Sequence, residues 1–205
     1  MSYTALRVDE AGVVLFAHHA RRLAPEGGAL RDAFAAFARD AAPGAYTVTS
    51  SGGRLVATVR GPSRLVDGMP VRSIVSPFAG QAGLFAKPAP PSPYDAVRIS
   101  GVATLLTSAD GRELYESCSA ALVGWNGTAL VLAPSDRPRV ASVAESALRA
   151  AEHVEAPLLA AQTTPLALVN AVKGLCRIAA PGREPFPAAA AELIERLLRG
   201  STSRG

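Results

Sequence analysis

Lysine is nearly absent from this chain. Of the 21 basic residues in 205, only Lys87 and Lys173 are lysines; the rest are arginines. Arginine keeps its proton in proteins and cannot act as an amine nucleophile, so any lysine chemistry runs through one of two positions. Cysteine is equally scarce: Cys118 and Cys176 have neither the spacing of a metal site nor the density of a disulfide framework. There are three histidines. His18 and His19 are adjacent, and on a strand they would point to opposite faces, so a metal site has little support. Aromatic residues make up 5% and the arginines are scattered. A nucleic-acid surface wants stacking rings and clustered cations, so the net charge of +4 reads instead as a solvated arginine surface. No apolar run reaches the ~18 residues that span a bilayer. Met1 to Glu10 carries acidic residues and no apolar signal core, so the expected location is the cytoplasm. Missing too are a phosphate loop ending in Lys-Ser/Thr, a G-x-G-x-x-G fingerprint and a G-x-S-x-G nucleophile elbow.

What is present is globular: 49% hydrophobic and 19% charged residues, enough for one large domain or two small ones. Residues 3–8 and 13–17 read as strands joined by a turn over 9–12. A basic cluster follows over 18–23. A helix is expected from Gly28, with Leu30, Ala33, Phe34 and Phe37 at helical steps. Residues 46–59 alternate around Ser50–Gly53 and predict a hairpin. Val71–Val75 reads as a strand. Four prolines among residues 87–93 mark a stiff connector. Beyond it a short helix over 94–101, a strand over 103–107 and a hairpin around Asn126-Gly127 are predicted. A helix over 141–155, a strand over 166–169 and a terminal helix over 187–199 complete the chain. The fold class is therefore α+β, or mixed α/β. The domains expected are 1–80, a connector over 81–93, and 94–200, with a disordered tail over 201–205.

An ordered set of short motifs carries the functional signal. Tyr3-Thr4-Ala5-Leu6-Arg7-Val8 opens it, followed by His19-x-x-Arg22-Leu23. Lys87 comes next, then Asp110-Gly111 with Glu116 and Asn126-Gly127. Asn170-Ala171-x-x-Gly174 closes it. Individually each is weak. In this order they resemble the class IV aminotransferase family, the fold type IV pyridoxal-phosphate enzymes, over most of residues 3–178. That family includes aminodeoxychorismate lyases and branched-chain and D-amino acid aminotransferases. The resemblance implies a two-domain fold with a shortened small N-terminal domain. It also implies pyridoxal 5′-phosphate as cofactor, a homodimer, and an amino acid or aminodeoxychorismate-like substrate.

The resemblance assigns roles residue by residue. A cofactor aldehyde needs a lysine amine. Alone, Lys87 reads as a solvated connector lysine; by the family order it is the attachment point, and Lys173 lies too late in the chain. Glu116 falls where the family keeps a carboxylate beside the pyridine nitrogen, which makes the ring an electron acceptor. Arg22 falls on the phosphate-binding arginine, whose forked donors suit a dianion; neighbouring Arg21 leaves that register open. Ala141 and Ser142 at a helix start, with Asn170 and Ala171, complete the expected phosphate cup. Tyr3 is a candidate for substrate contact. The chain also departs from the pattern. Thr4 replaces an acidic residue, Ala121 an asparagine, and the loop over 134–139 is short. The reading favoured is lyase-like, with a transaminase or a non-catalytic binding relative as alternatives.

Overall fold

The computed structural model describes residues 2–24, 28–61, 65–86 and 92–200. Lys87, the connector residues 88–91 and the tail 201–205 lie outside the described residues. The chain begins with β1 (Ser2–Asp9), β2 (Gly12–Val13), α1 (Phe16–Leu23), α2 (Ala29–Asp40), β3 (Gly44–Ser51) and β4 (Arg54–Arg60). Next come β5 (Val71–Val75), β6 (Leu84–Phe85), α3 (Pro93–Val97), β7 (Ala103–Thr107), β8 (Glu113–Ser117) and β9 (Ala121–Trp125). Then follow β10 (Leu130–Leu132), β11 (Arg139–Val140), α4 (Val143–Leu148), β12 (His153–Glu155) and β13 (Leu158–Leu159). The hairpin of β14 (Leu166–Asn170) and β15 (Gly174–Arg177) precedes α5 (Ala188–Gly200).

The first four strands form an antiparallel sheet in the order β2-β1-β3-β4. α1 and α2 cover one face, burying Leu23 and Phe34 against Leu6, Val8 and Val48. Beyond it lie two further sheets, β12-β10-β9-β14-β15 and β13-β8-β7-β5. Apolar side chains of both fill the space between them, including Leu105, Leu114, Leu122, Leu158 and Leu168. α4 and α5 close the outer face of the former over Val123, Leu132 and Val169. β5 pairs in parallel with β7, and β6 in parallel with β11. Both strands before the proline-rich connector thus join partners beyond it. Mixed α and β structure follows, as the sequence predicts.

Local differences from the expectation have physical causes. The strand expected over 13–17 ends at Val13, and α1 begins at Phe16. Leu15, fully buried, turns the chain with a left-handed φ of 59°. A bulky residue there is strained, and burial of its side chain offsets the cost. Five apolar residues in a row fit a strand or a buried helix start equally well, which is why periodicity misleads here. His18 and His19 consequently sit on a helix, not a strand. The helix expected over 141–155 stops at Leu148, because His153–Glu155 pairs in parallel with Leu130–Leu132. A central sheet partner outweighs the helix propensity of Ala150 and Ala151.

Candidate active site

One cleft is built from four sides. α1 supplies the first wall. His19 and Arg22 stand one turn apart on it, so both point toward the same side. His19 is fully buried, and its Nδ1 shares a 2.8 Å hydrogen bond with Thr4 Oγ1 of β1. At the helix end, Ser50 Oγ of β3 donates to the Leu23 carbonyl at 3.1 Å. These contacts fix the helix rotation and leave Arg22, half-buried, on the cleft. Burial, then the charges of Arg22 and His18, pushes the His19 pKa down to about 3, so its ring is neutral at pH 7. Burial also holds the Arg22 guanidinium below its usual value, although it stays charged. Among the described residues no carboxylate forms a salt bridge with Arg22.

β8 supplies a buried carboxyl group. Glu116 is 5% exposed, at the point where β8 turns toward β9. Its Oε1 accepts a 2.6 Å bond from the Tyr94 hydroxyl and a 3.1 Å bond from the Val140 N–H. Oε2 takes part in neither. Burial pushes the Glu116 carboxyl up to about 8 and outweighs the two bonds, which pull the other way. Burial and the Glu116 charge likewise raise the Tyr94 hydroxyl far above its ordinary range. Tyr94 is placed by α3. This short helix opens with a capping box, in which Asp95 Oδ2 accepts from both the Ser92 N–H and the Ser92 hydroxyl at 2.9 Å. The floor between β8 and β9 is a tight turn, with Ser117 Oγ accepting from the Ser119 and Ala120 N–H groups.

β11 and α4 form the third wall. Ser142 caps α4, its Oγ accepting from the Glu145 N–H at 3.4 Å. A buried charge network anchors this corner. Arg139, 1% exposed, makes a bidentate pair with Glu145 at 2.6 and 3.2 Å. Arg149 Nη2 reaches the same carboxylate at 2.8 Å, and both guanidinium groups donate to the Ala133 carbonyl. One residue on from Arg139, Val140 sends its N–H to Glu116. The fourth wall is the β14–β15 turn. Asn170 Oδ1 accepts from the Val172 and Lys173 N–H groups at 2.8 and 3.0 Å, and Nδ2 donates to the Ser119 carbonyl. The Asn170 side chain therefore shapes the turn that carries Ala171, and ties it to the floor.

Arg22, Glu116, Ser142, Asn170 and Ala171 thus line a single cleft, together with Thr4, Ala121 and Tyr94. Tyr3 and Ala141 line an adjoining cavity that shares Arg22 with it. Lys87 lies outside the described residues; Ala86, directly before it, lines that adjoining cavity. Lys173 is half-buried on the β14–β15 turn, where burial and the nearby Arg98 and Arg60 charges hold its amine below the usual value. Sequence reasoning missed Tyr94, Arg139 and the Val140 N–H. The Ser92-Pro93-Tyr94-Asp95 run is a readable capping signal that could have located Tyr94. A buried arginine in a chain rich in arginine leaves no such mark.

Solved structures with this arrangement of elements exist. A hypothetical aminotransferase from Mycobacterium tuberculosis, solved with PLP bound, superposes with a TM-score of 0.67 at 17% identity, over 98% of this chain and 88% of that one. A 4-amino-4-deoxychorismate lyase from Pseudomonas aeruginosa gives 0.65 at 17%, over 97% and 90%. The branched-chain amino acid aminotransferase of Escherichia coli gives 0.65 at 12%, over 98% and 85%. The fold is that of the fold type IV aminotransferases. No family model matches the sequence, and no curated protein does. The likeness foreseen from the ordered motifs therefore holds in the fold, while sequence identity stays low. On this fold the cleft is lined by the Arg22 cation and the buried Glu116 carboxyl group. Among the described residues no helix is long and apolar enough to cross a membrane.

Proposed function

We propose that this chain is a pyridoxal-phosphate-dependent enzyme of the class IV aminotransferase type, with Lys87 holding the cofactor. One observation carries the reading. Five residues chosen from motif order, between positions 22 and 171, line one cleft, the Arg22 cation and the buried Glu116 carboxyl group among them. The donor set suits the cofactor. Arg22 offers a forked cation, without a salt bridge among the described residues, to a phosphate. Ser142 and the turn holding Ala171 add neutral donors beside it. Glu116 offers a buried carboxyl group held by Tyr94 and Val140, and the positive charge of a protonated ring nitrogen would favour its ionised form against the burial that raises it.

Pyridoxal phosphate, when bound, supplies an electron sink for the carbon bearing the amino group. The chain's own residues do the rest. Glu116, its Oε1 held in place by Tyr94 and Val140, would partner the ring nitrogen and favour its protonated form. Arg22 and Ser142 anchor the phosphate. The Lys87 amine would hold the cofactor and would move the proton at the substrate's alpha carbon.

The favoured reaction is lyase-like, the conversion of aminodeoxychorismate to 4-aminobenzoate and pyruvate. The Glu116-Ser117-Cys118 run and the Asn170-Ala171 segment support it by their likeness to lyase members. Transamination is the second reading, favoured by the Mycobacterium tuberculosis neighbour solved with alpha-ketoglutarate and PMP bound. A cytoplasmic homodimer completes the proposal. Purified protein mixed with pyridoxal phosphate is expected to develop the visible absorbance of a lysine-bound cofactor. Arg22→Gln then weakens uptake by about tenfold or more, the loss of a charge-assisted hydrogen-bond pair. Product analysis separates the reactions: 4-aminobenzoate with pyruvate for the lyase, a 2-oxo acid from a free amino acid for the transaminase. Protein that never takes up the cofactor is a non-catalytic relative, and the proposal fails.

A further inference from the structure

The strained turn ahead of α1 joins two cores. Val13 and Phe16 pack with Leu6, Leu23 and Phe34 in the core under the N-terminal sheet. Val14 and Leu15, which stand between them, belong instead to the core of the five-stranded sheet, with Leu148 of α4, Ile194 of α5 and Val169 of β14. Leu15 makes the backbone swing that separates these neighbours. Its φ of 59° is the one positive value outside glycine among the described residues. Glycine would take that angle freely, whereas the leucine Cβ crowds its own backbone there. What leucine adds is a fully buried side chain in the second core. That core also contains Val143 and Ala171, and both of them line the cofactor cleft.

The same residue starts α1. Its carbonyl accepts from the His18 and His19 N–H groups at 3.0 and 3.1 Å, the first hydrogen bonds of the helix. Just before it, the Val14 N–H donates to the Arg7 carbonyl of β1 at 2.9 Å. Thr4 and Ser50 tie the middle and end of α1 to its own sheet, while Leu15 ties its start to the other. Arg22 lies seven residues on, about 10 Å along the axis at about 1.5 Å per residue, so a tilt of about 6° at Leu15 carries it about 1 Å. Misplacement on that scale is enough to weaken a positioned contact. We propose that Leu15 is a positioning residue for Arg22: seated in the core of the five-stranded sheet, its side chain sets the angle of α1 and holds the guanidinium in register with Ser142 and Ala171 across the cleft. This rests on the reading that the cleft holds pyridoxal phosphate.

The test compares pyridoxal phosphate with pyridoxal, which lacks the phosphate, by absorbance titration of each variant. Leu15→Gly takes the same backbone angle and removes the side chain from the core. It is expected to lower the preference for pyridoxal phosphate over pyridoxal by about tenfold, as Arg22→Gln does, and the double variant is expected to lose no more than either. Leu15→Met keeps an apolar side chain of similar volume and is expected to keep the preference. Should Leu15→Gly fail to fold, Leu15→Ala, which fills part of the space, is expected to lower the preference in the same direction. Weaker binding of both compounds with the preference unchanged makes Leu15 a packing residue and overturns the proposal, as does additive loss in the double variant. In cofactor-free protein the Arg22 Nε–H is followed by ¹⁵N NMR. A single sharp resonance is expected in wild type and Leu15→Met, and a broadened one in Leu15→Gly. An unchanged resonance in Leu15→Gly overturns the proposal even where no cofactor binds. Failure of wild type to take up either compound, by contrast, overturns only the cofactor reading.

Discussion

Glu116 is a carboxylate that its surroundings make expensive to ionise. Its folded pKa, about 8, lies above its ordinary value of 4.5, with burial as the main cause. The sign follows from proton counting. Between those values the folded state binds more protons than the unfolded chain, so stability falls as pH rises. The contribution is fully present below about 4.5 and is lost as pH climbs through 8. Glu116→Gln keeps a neutral acceptor for Tyr94 and Val140 and removes the titration. In urea unfolding of cofactor-free protein, the variant should match wild type near pH 4.5 and exceed it at pH 9. The same variant should lose activity once loaded, since an amide cannot keep the ring nitrogen protonated. Coincident pH–stability curves would show that Glu116 titrates normally. At this scale the sequence was informative about residue type and order: Arg22, Glu116, Ser142, Asn170 and Ala171 reach one cleft. Orientation was not legible. That Glu116 is held by Tyr94, 22 residues away, and by the Val140 N–H depends on how three elements pack. Nor was it legible that the Asn170 side chain shapes the turn that carries Ala171.

Among the elements, β11 and α4 carry the most consequence for the site. Their corner is held by charge rather than apolar packing alone. Arg139 and Glu145 are both buried, and each has further partners, so removing one strands the other in a poor dielectric. Arg139→Met is expected to cost about 3–5 kcal/mol in urea unfolding, with Arg149 tempering the loss toward the lower end. Cofactor affinity should fall with it, because Val140 and Ser142 move with this corner. Ser142→Ala is the milder probe. Loss of the cap should cost about 1 kcal/mol of stability. Cofactor affinity should drop in the same variant, and Ser142→Thr should restore both. A stability loss without any change in affinity would mean that Ser142 only caps the helix. Elements with a clean period were legible: the β3–β4 hairpin, α2 and α5 appear where alternation or helical spacing put them. α1 and α4 were not, since a buried strained leucine and a parallel strand partner override local pattern.

Across the whole molecule, the fold brings distant segments to one place. The N-terminal sheet and its helices deliver Arg22, while the sheets beyond deliver Glu116 and the β14–β15 turn, so the cleft lies between structures that fold from different parts of the chain. Such a site is sensitive to docking between layers, and a ligand touching both sides should stabilise the whole. Saturating pyridoxal phosphate, at a hundred times its dissociation constant, should add about 2.7 kcal/mol to unfolding stability by mass action. Raised thermal stability with cofactor, absent in Arg22→Gln, checks this. The scarcity of lysine makes the central claim unusually direct to test. Protein loaded with pyridoxal phosphate is reduced with borohydride, digested, and the labelled peptide identified by mass spectrometry. There are two lysines in the chain. The account predicts the label on Lys87, its loss in Lys87→Ala and its persistence in Lys173→Ala. A label on Lys173, or no lysine labelled at all, would contradict it.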